Sequence, residues 1–237
     1  SFFTTLLKTE PNRYKIKIKR SNLFFMNKDD EVLFINQIND SQIYYDLKNL
    51  KNIFVSRSKV FNIPYKLTIG NDKLNKILDF EITAKKLVLK IENQTDYKNK
   101  NETGNLKISF KNKNNIFEYQ INENTLDIVS KDNNKIFKGL MEFKPFYLVS
   151  NFKYQTFRIK DLLNNPFFME ILKSQVLNNK NLNALINFDV KNVYDFDRFS
   201  DLSLKLKIEE GDYNFSNSNI IWKENVKVSF SDAFLNF

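Results

Sequence analysis

From Tyr14 to Phe237 the chain returns repeatedly to one pattern, an apolar residue at every second position with Lys or another polar residue between. Tyr14, Ile16 and Ile18 alternate with Lys15, Lys17 and Lys19. Phe61, Ile63, Tyr65, Leu67 and Ile69 alternate with Asn62, Pro64, Lys66 and Thr68. Leu202, Leu204, Leu206 and Ile208 alternate with Ser203, Lys205 and Lys207. A period of two puts one set of side chains on one face of a strand and the other set on the opposite face. The chain is therefore expected to be mainly β, with one greasy and one wet face to its sheet.

Composition limits the chemistry such a sheet can carry. There is no cysteine and no histidine, so thiolate metal sites, disulfides and histidine-based triads are excluded. Four glycines scattered singly supply no phosphate-binding loop and no nucleophile elbow. The nearest approaches to an acidic metal loop, Asp195-Phe196-Asp197 and Asn27-Lys28-Asp29-Asp30-Glu31, lack calcium-loop spacing and read as ordinary loops. Glu209-Glu210 is the only adjacent glutamate pair. It falls in an expected turn, where solvation does not raise a carboxyl pKa. No enzyme activity, cofactor or metal is expected.

The net charge of +9 could serve nucleic acid, an anionic surface or solubility. Single-strand binders need aromatic platforms and basic groups on one surface. Here Lys and aromatics alternate onto opposite faces, so nucleic acid is not an expected partner. No stretch reaches the roughly 18 apolar residues of a membrane helix. The start, Ser1 to Lys8, has neither an initiator Met nor a charged leader, and the chain reads as a piece of a longer protein forming a single domain over 1–237.

Strands are expected at 13–20, at 23–26 and 32–38 as a hairpin, at 59–69, in two phases over 77–91, at 105–111, 116–121 and 125–130, and over 136–152 with a bend at Pro145. The phase change near Ala84-Lys85-Lys86 marks a bulge or a turn. Residues 43–55 are ambiguous, because Leu47, Leu50 and Phe54 have helix-like spacing. Residues 93–104 are polar throughout and read as a mobile loop. One amphipathic helix is expected at about 161–179, where Asn165-Pro166 opens a stripe through Phe168, Ile171, Leu172 and Gln175. Strands resume at 182–191, 199–208, 212–216, 219–223 and 225–231. The expected turn before the third of these is Glu209-Glu210-Gly211-Asp212.

An apolar face must be buried on something. One reading is an ordinary sandwich or barrel core without a ligand. The other is a sheet curled into a trough that holds one. A strand of six to nine residues spans about 20–30 Å, on the scale of an acyl chain. Taking about fifteen methylenes out of a bilayer costs on the order of 10 kcal/mol, which a continuous apolar trough could offset.

The run Gly211-Asp212-Tyr213-Asn214-Phe215, followed by Asn219-Ile220-Ile221-Trp222-Lys223-Glu224-Asn225-Val226-Lys227-Val228, resembles the C-terminal region of AsmA-like proteins. Gly139-Leu140-Met141-Glu142-Phe143-Lys144-Pro145-Phe146 resembles one of their strands, and so does the stretch from Leu47 to Tyr65. The resemblance extends over about residues 14–237 and consists of hydrophobic patterns. AsmA-like and TamB-like proteins are similar in building long β-grooves. The resemblance implies a long, strongly curved antiparallel sheet forming an open groove. It also implies a periplasmic protein, anchored to the inner membrane by a segment outside this chain, that carries phospholipid between the envelope membranes of a Gram-negative cell.

Carried onto this sequence, the acyl-chain contacts would be Phe61, Ile63, Tyr65, Leu67, Ile69, Phe80, Ile82, Leu87, Leu89, Ile91, Leu106, Ile108, Phe110, Leu202, Leu204, Leu206, Ile208, Val226, Val228 and Phe230, with headgroups at the open edge. The alternative is an outer-membrane β-barrel or a structural β-domain without ligand. Against the barrel, Lys would line the lumen on nearly every strand, and many strands fall short of the roughly 9–11 residues a span needs.

Overall fold

A computed structural model describes residues 15–26, 32–98, 102–110, 113–130, 135–143, 146–158, 160, 169–170, 173, 179–194, 199–223 and 225–235. Its elements are seventeen strands and one short 3-10 turn. The chain divides into two compact units, Ser1–Asn115 and Ile116–Phe237.

In the first unit, seven strands follow one another as an antiparallel meander: β1 (Ile16–Met26), β2 (Val32–Asp46), β3 (Lys51–Val60), β4 (Ile63–Asp72), β5 (Ile77–Ala84), β6 (Leu89–Asp96) and β7 (Glu102–Phe110). The connections do without glycine. Phe61 and Asn62 join β3 to β4 with both φ angles positive, the mirror-image turn that suits strand twist. Asn tolerates that conformation and Phe61 is forced into it. The β2–β3 and β4–β5 turns are built alike. Asp46 Oδ1 accepts the N–H groups of Lys48 and Asn49, and its Oδ2 accepts from Asn49 Nδ2 at 2.7 Å. Asp72 receives the Asn75 N–H and Asn75 Nδ2 at 3.0 and 2.9 Å. Each turn closes on a left-handed residue, Leu50 or Lys76. The 3-10 turn (Lys85–Leu87) and left-handed Val88 join β5 to β6.

In the second unit β8 (Lys113–Ile121), β9 (Thr125–Ser130), β10 (Lys135–Phe143) and β11 (Phe146–Phe157) are successive antiparallel neighbours. Then β12 (Ala184–Val193) lies parallel to β11, with Leu148 opposite Ala184. A parallel neighbour needs a crossover of a dozen or more residues, and 158–183 is that connection. Beyond it, β13 (Phe199–Glu209) pairs antiparallel with β12 and also takes β14 (Asp212–Phe215) and β15 (Ser218–Trp222). β16 (Val226–Phe230) pairs with β15, and β17 (Ala233–Leu235) with β14. Glu210 and Gly211 form the expected tight turn, both with positive φ.

Three expectations are revised. The described elements include no inserted α-helix. The stretch expected to form one, 161–179, lies outside the described residues apart from Met169, Glu170, Lys173 and Asn179; helical backbone at the first three bounds no element. The polar stretch 93–104 is largely strand, with β6 running through Asp96 and β7 starting at Glu102, because backbone pairing needs no apolar side chain. The span 136–152 is a hairpin, with Phe143 opposite Phe146, rather than one bent strand. The ambiguity at 43–55 resolves as strand, turn and strand, with β2 running through Asp46 and β3 starting at Lys51. The phase change near Ala84 is a turn, one of the two forms expected.

Among the described residues the fully buried apolar core is small. Ile43 and Phe54 form its centre in the first unit, with Leu67 and Ile69 packed against them. Ala184, Ile208 and Tyr213 form it in the second, with Leu148, Leu182, Ile186 and Leu206 around them.

Candidate functional site

Residues opposite one another in a ladder share a face of the sheet. Following the register across the first unit joins the alternating residues into rows. One row runs Ile18, Ser41, Ser56, Leu67, Ile82, Ile91, Ile108. The next runs Ile16, Ile43, Phe54, Ile69, Phe80, Asn93, Leu106. A third, polar at most positions, runs Tyr45, Asn52, Asn71, Leu78, Thr95, Gly104. Seven strands set about 4.8 Å apart make the longer rows roughly 29 Å wide. Ala84, Leu89 and Phe110 continue the same face towards the 3-10 turn, and Ile63 and Tyr65 continue it along β4.

Of the residues expected from sequence, Ile63, Tyr65, Leu67, Ile69, Phe80, Ile82, Leu89, Ile91, Leu106, Ile108 and Phe110 are therefore gathered on one face. Two are not strand residues. Phe61 sits in the β3–β4 turn, its ring 5.8 Å from Phe34. Leu87 is buried within the 3-10 turn.

The rows also contain what the hydrophobic pattern does not point to. Ser41, Asn52, Ser56, Ser58, Asn71, Asn93 and Thr95 are all buried on this face. They are short or medium side chains set among longer ones on the same face, such as Ile38, Ile43, Phe54 and Leu67, which cover them. Ser56 and Ser58 hydroxyls lie 2.6 Å apart, and Asn93 Nδ2 donates to Thr95 Oγ1 at 2.8 Å. Tyr65 donates its hydroxyl to Asn36 Oδ1 at 3.1 Å. Burial pushes the Tyr65 phenol above its ordinary range, because the anion is poorly solvated there. On this face, among the described residues, the buried Ser41 Oγ and Asn93 Oδ1 have no hydrogen-bond partner.

The second unit repeats the arrangement with aromatics. Leu204, Phe188, Phe152 and Phe137 occupy one cross-strand row, and Leu206, Ile186, Ser150 and Gly139 the next. Ring centroids are 5.5 Å apart for Phe117–Phe137, 4.9 Å for Phe137–Phe152 and 6.1 Å for Phe152–Phe188. Tyr154 and Phe157 close on Phe188 at 5.5 and 5.0 Å. Tyr154 is likewise raised in pKa by burial. The expected residues Leu202, Leu204, Leu206 and Ile208 lie on this face. Val226, Val228 and Phe230 follow it by register through Trp222, Ile220 and Ser218, but all five residues of β16 are exposed. Phe137, Phe152 and Phe188 are not among the expected contacts, because β10, β11 and β12 each carry apolar residues at both parities and hydropathy alone does not choose their face.

The opposite faces carry compensated charge beside apolar residues such as Ile53 and Val55 in the first unit and the row Leu140, Val149 and Leu185 in the second. Lys90 bridges Glu81 and Glu92 at 3.0 and 2.7 Å, Lys107 reaches Glu92, and Arg57 pairs with Asp40. On the second unit an open depression of about 450 Å³ holds Lys153, Asp189, Lys191, Asp201 and Ser203, with Ser203 Oγ donating to Asp189 at 2.8 Å. Among the described residues no acidic group is placed to hold a metal ion, and no helix is long and apolar enough to cross a membrane. No family model, no curated protein and no solved structure matches the chain.

Proposed function

We propose that this chain binds lipid, its apolar sheet faces solvating acyl chains, as a segment of an AsmA-like periplasmic protein that carries phospholipid between envelope membranes. The observation that supports this most is the register of the first unit. It places Leu67, Ile82, Ile91 and Ile108 in one row, and Ile69, Phe80 and Leu106 in the next, on a face that no second layer of described strands from the same unit covers. About fifteen methylenes leaving a bilayer need a favourable term on the order of 10 kcal/mol, and rows of this width offer matching apolar surface. The function is uptake and passage, without bond chemistry.

A closed barrel is the weaker reading. Among the described residues β1 has registered partners on β2 alone, and β16 on β15 alone. Phospholipid co-purifying with the protein, seen by mass spectrometry, and lipid crosslinks from a photoreactive residue at Leu67 or Leu206 are the expected results. A protein that emerges empty and uncrosslinked at both positions would overturn the proposal.

A further inference from the structure

We infer that the apolar face of the first unit receives the polar linkage of a lipid as well as its hydrocarbon, with Ser41 and Asn93 as the hydrogen-bonding points. This rests on the lipid-binding reading of that face. Ser41 is 1 % exposed and Asn93 6 %, and Ser41 Oγ and Asn93 Oδ1 are without a partner among the described residues. Burying a polar atom unpaired is unfavourable, and such atoms are rare unless something outside the chain satisfies them. Both residues belong to the rows described above, so their side chains lie on the face that carries Leu67, Phe80 and Ile82, each polar atom closed over by longer neighbours that part to admit the linkage.

The chemistry selects the ligand group. A serine hydroxyl can donate to an ester carbonyl or accept from a hydroxyl. The Asn93 amide spends one of its two polar ends on Thr95 Oγ1, and whichever way the amide is turned the other end is left over. An ester–hydroxyl linkage of the acylglycerol type satisfies either point. β2 and β6 are four strand spacings apart, about 19 Å along the sheet, with apolar side chains on the strands between. One linkage cannot reach both points across that distance. Ser41 and Asn93 therefore mark two successive linkage positions separated by hydrocarbon-lined surface, and the linkage is carried on the face rather than left at an open edge.

The test compares two probes on the full chain: monoolein, which has an ester and two hydroxyls, and diphenylhexatriene, which is hydrocarbon only. Ser41→Ala and Asn93→Leu are each expected to weaken monoolein about fivefold, the effect of one lost hydrogen bond, and to leave diphenylhexatriene unchanged. Ser41→Cys, which keeps the side-chain volume and loses most of the donor strength, is expected to follow Ser41→Ala and replaces it should that variant not fold. Unchanged monoolein binding in the variants, with diphenylhexatriene still bound, overturns this inference alone and assigns the two atoms to water. Failure of the unsubstituted protein to bind either probe overturns the underlying reading as well.

Discussion

Lys51 on β3 reaches Asp79 on β5, its Nζ 3.0 Å from the carboxylate, by passing over β4 at Gly70. Ile53, Gly70 and Asp79 are successive partners in register. A Cβ at Gly70 would stand 3.6 Å from Ile53 Cδ1 and 4.0 Å from Lys51 Cδ, which is ordinary contact. Gly70→Ala is thus expected to change stability by no more than about 0.5 kcal/mol. Gly70→Phe, which fills the path, is expected to displace Lys51. Because the pair is partly exposed, losing it costs only about 0.2–1 kcal/mol. Urea unfolding of Gly70→Ala, Gly70→Phe and Asp79→Ala checks the series; a large loss in Asp79→Ala contradicts it.

Gly139 is the contrasting case. A Cβ there would meet Phe137 Cζ at 2.8 Å, because the ring of Phe137 lies back over the glycine two residues on. The ring has little freedom to retreat, with Phe117 and Phe152 at 5.5 and 4.9 Å. Gly139→Ala is expected to cost about 1–3 kcal/mol through overpacking, despite the entropic gain of replacing glycine in a strand. Relief of that loss in the double variant Gly139→Ala, Phe137→Leu, measured as a coupling energy, identifies the ring as the obstacle; strict additivity refutes it.

The two Asp-led turns give the first unit an acid-side pH dependence. Asp46 is held below the ordinary carboxylate value of 3.8, first by the Asn49 side chain and then by backbone N–H groups. Asp72 is held below it first by the Asn75 backbone N–H and then by the Asn75 side chain. A depressed folded-state pKa adds stability that is present above 3.8 and lost as pH falls through the lowered value. Melting curves taken from pH 6 to pH 2 are expected to show a decline below about pH 4 that is smaller in the Asp46→Asn, Asp72→Asn variant. Leu47 and Leu74, which those turns hold 81 % and 77 % exposed, are expected to tolerate Ser within about 0.5 kcal/mol.

How much of this the sequence discloses depends on the strand. In β4 the alternation of Ile63, Tyr65, Leu67 and Ile69 with polar residues leaves one choice of face, and the register agrees with it. In β3 the same logic points the wrong way. Ile53 and Val55 are apolar, yet the buried positions are Asn52, Phe54, Ser56 and Ser58. The neighbours decide, since Phe54 stands between Ile43 and Ile69, and hydropathy within one strand carries no record of its partners. The 93–104 stretch is illegible for a related reason. Asn93 and Thr95 are buried by cross-strand position, opposite Phe80 and Leu78, rather than by their own hydrophobicity. The parallel β11–β12 pair is likewise a property of the connection 158–183, and alternation within either strand is the same for both directions of pairing.

Stability and ligand uptake are expected to separate along these rows. Phe54 is 4 % exposed and packs with Ile43, Leu67 and Ile69, so Phe54→Ala removes core and is expected to cost about 3–5 kcal/mol. Ile91 and Ile108 stand opposite one another on the same face, only partly buried and outside that cluster. Replacing either with Ser puts a hydroxyl where a hydrocarbon ligand would lie, on a side chain that is already partly in water. The expected outcome is a stability loss under about 1.5 kcal/mol, less than full burial of an isoleucine is worth, with diphenylhexatriene binding weakened several-fold. Phe54→Ala measured under conditions where it stays folded should instead retain the probe more than it retains stability. If all three variants lose stability and probe in proportion, the face is ordinary core and the lipid-binding reading fails with it.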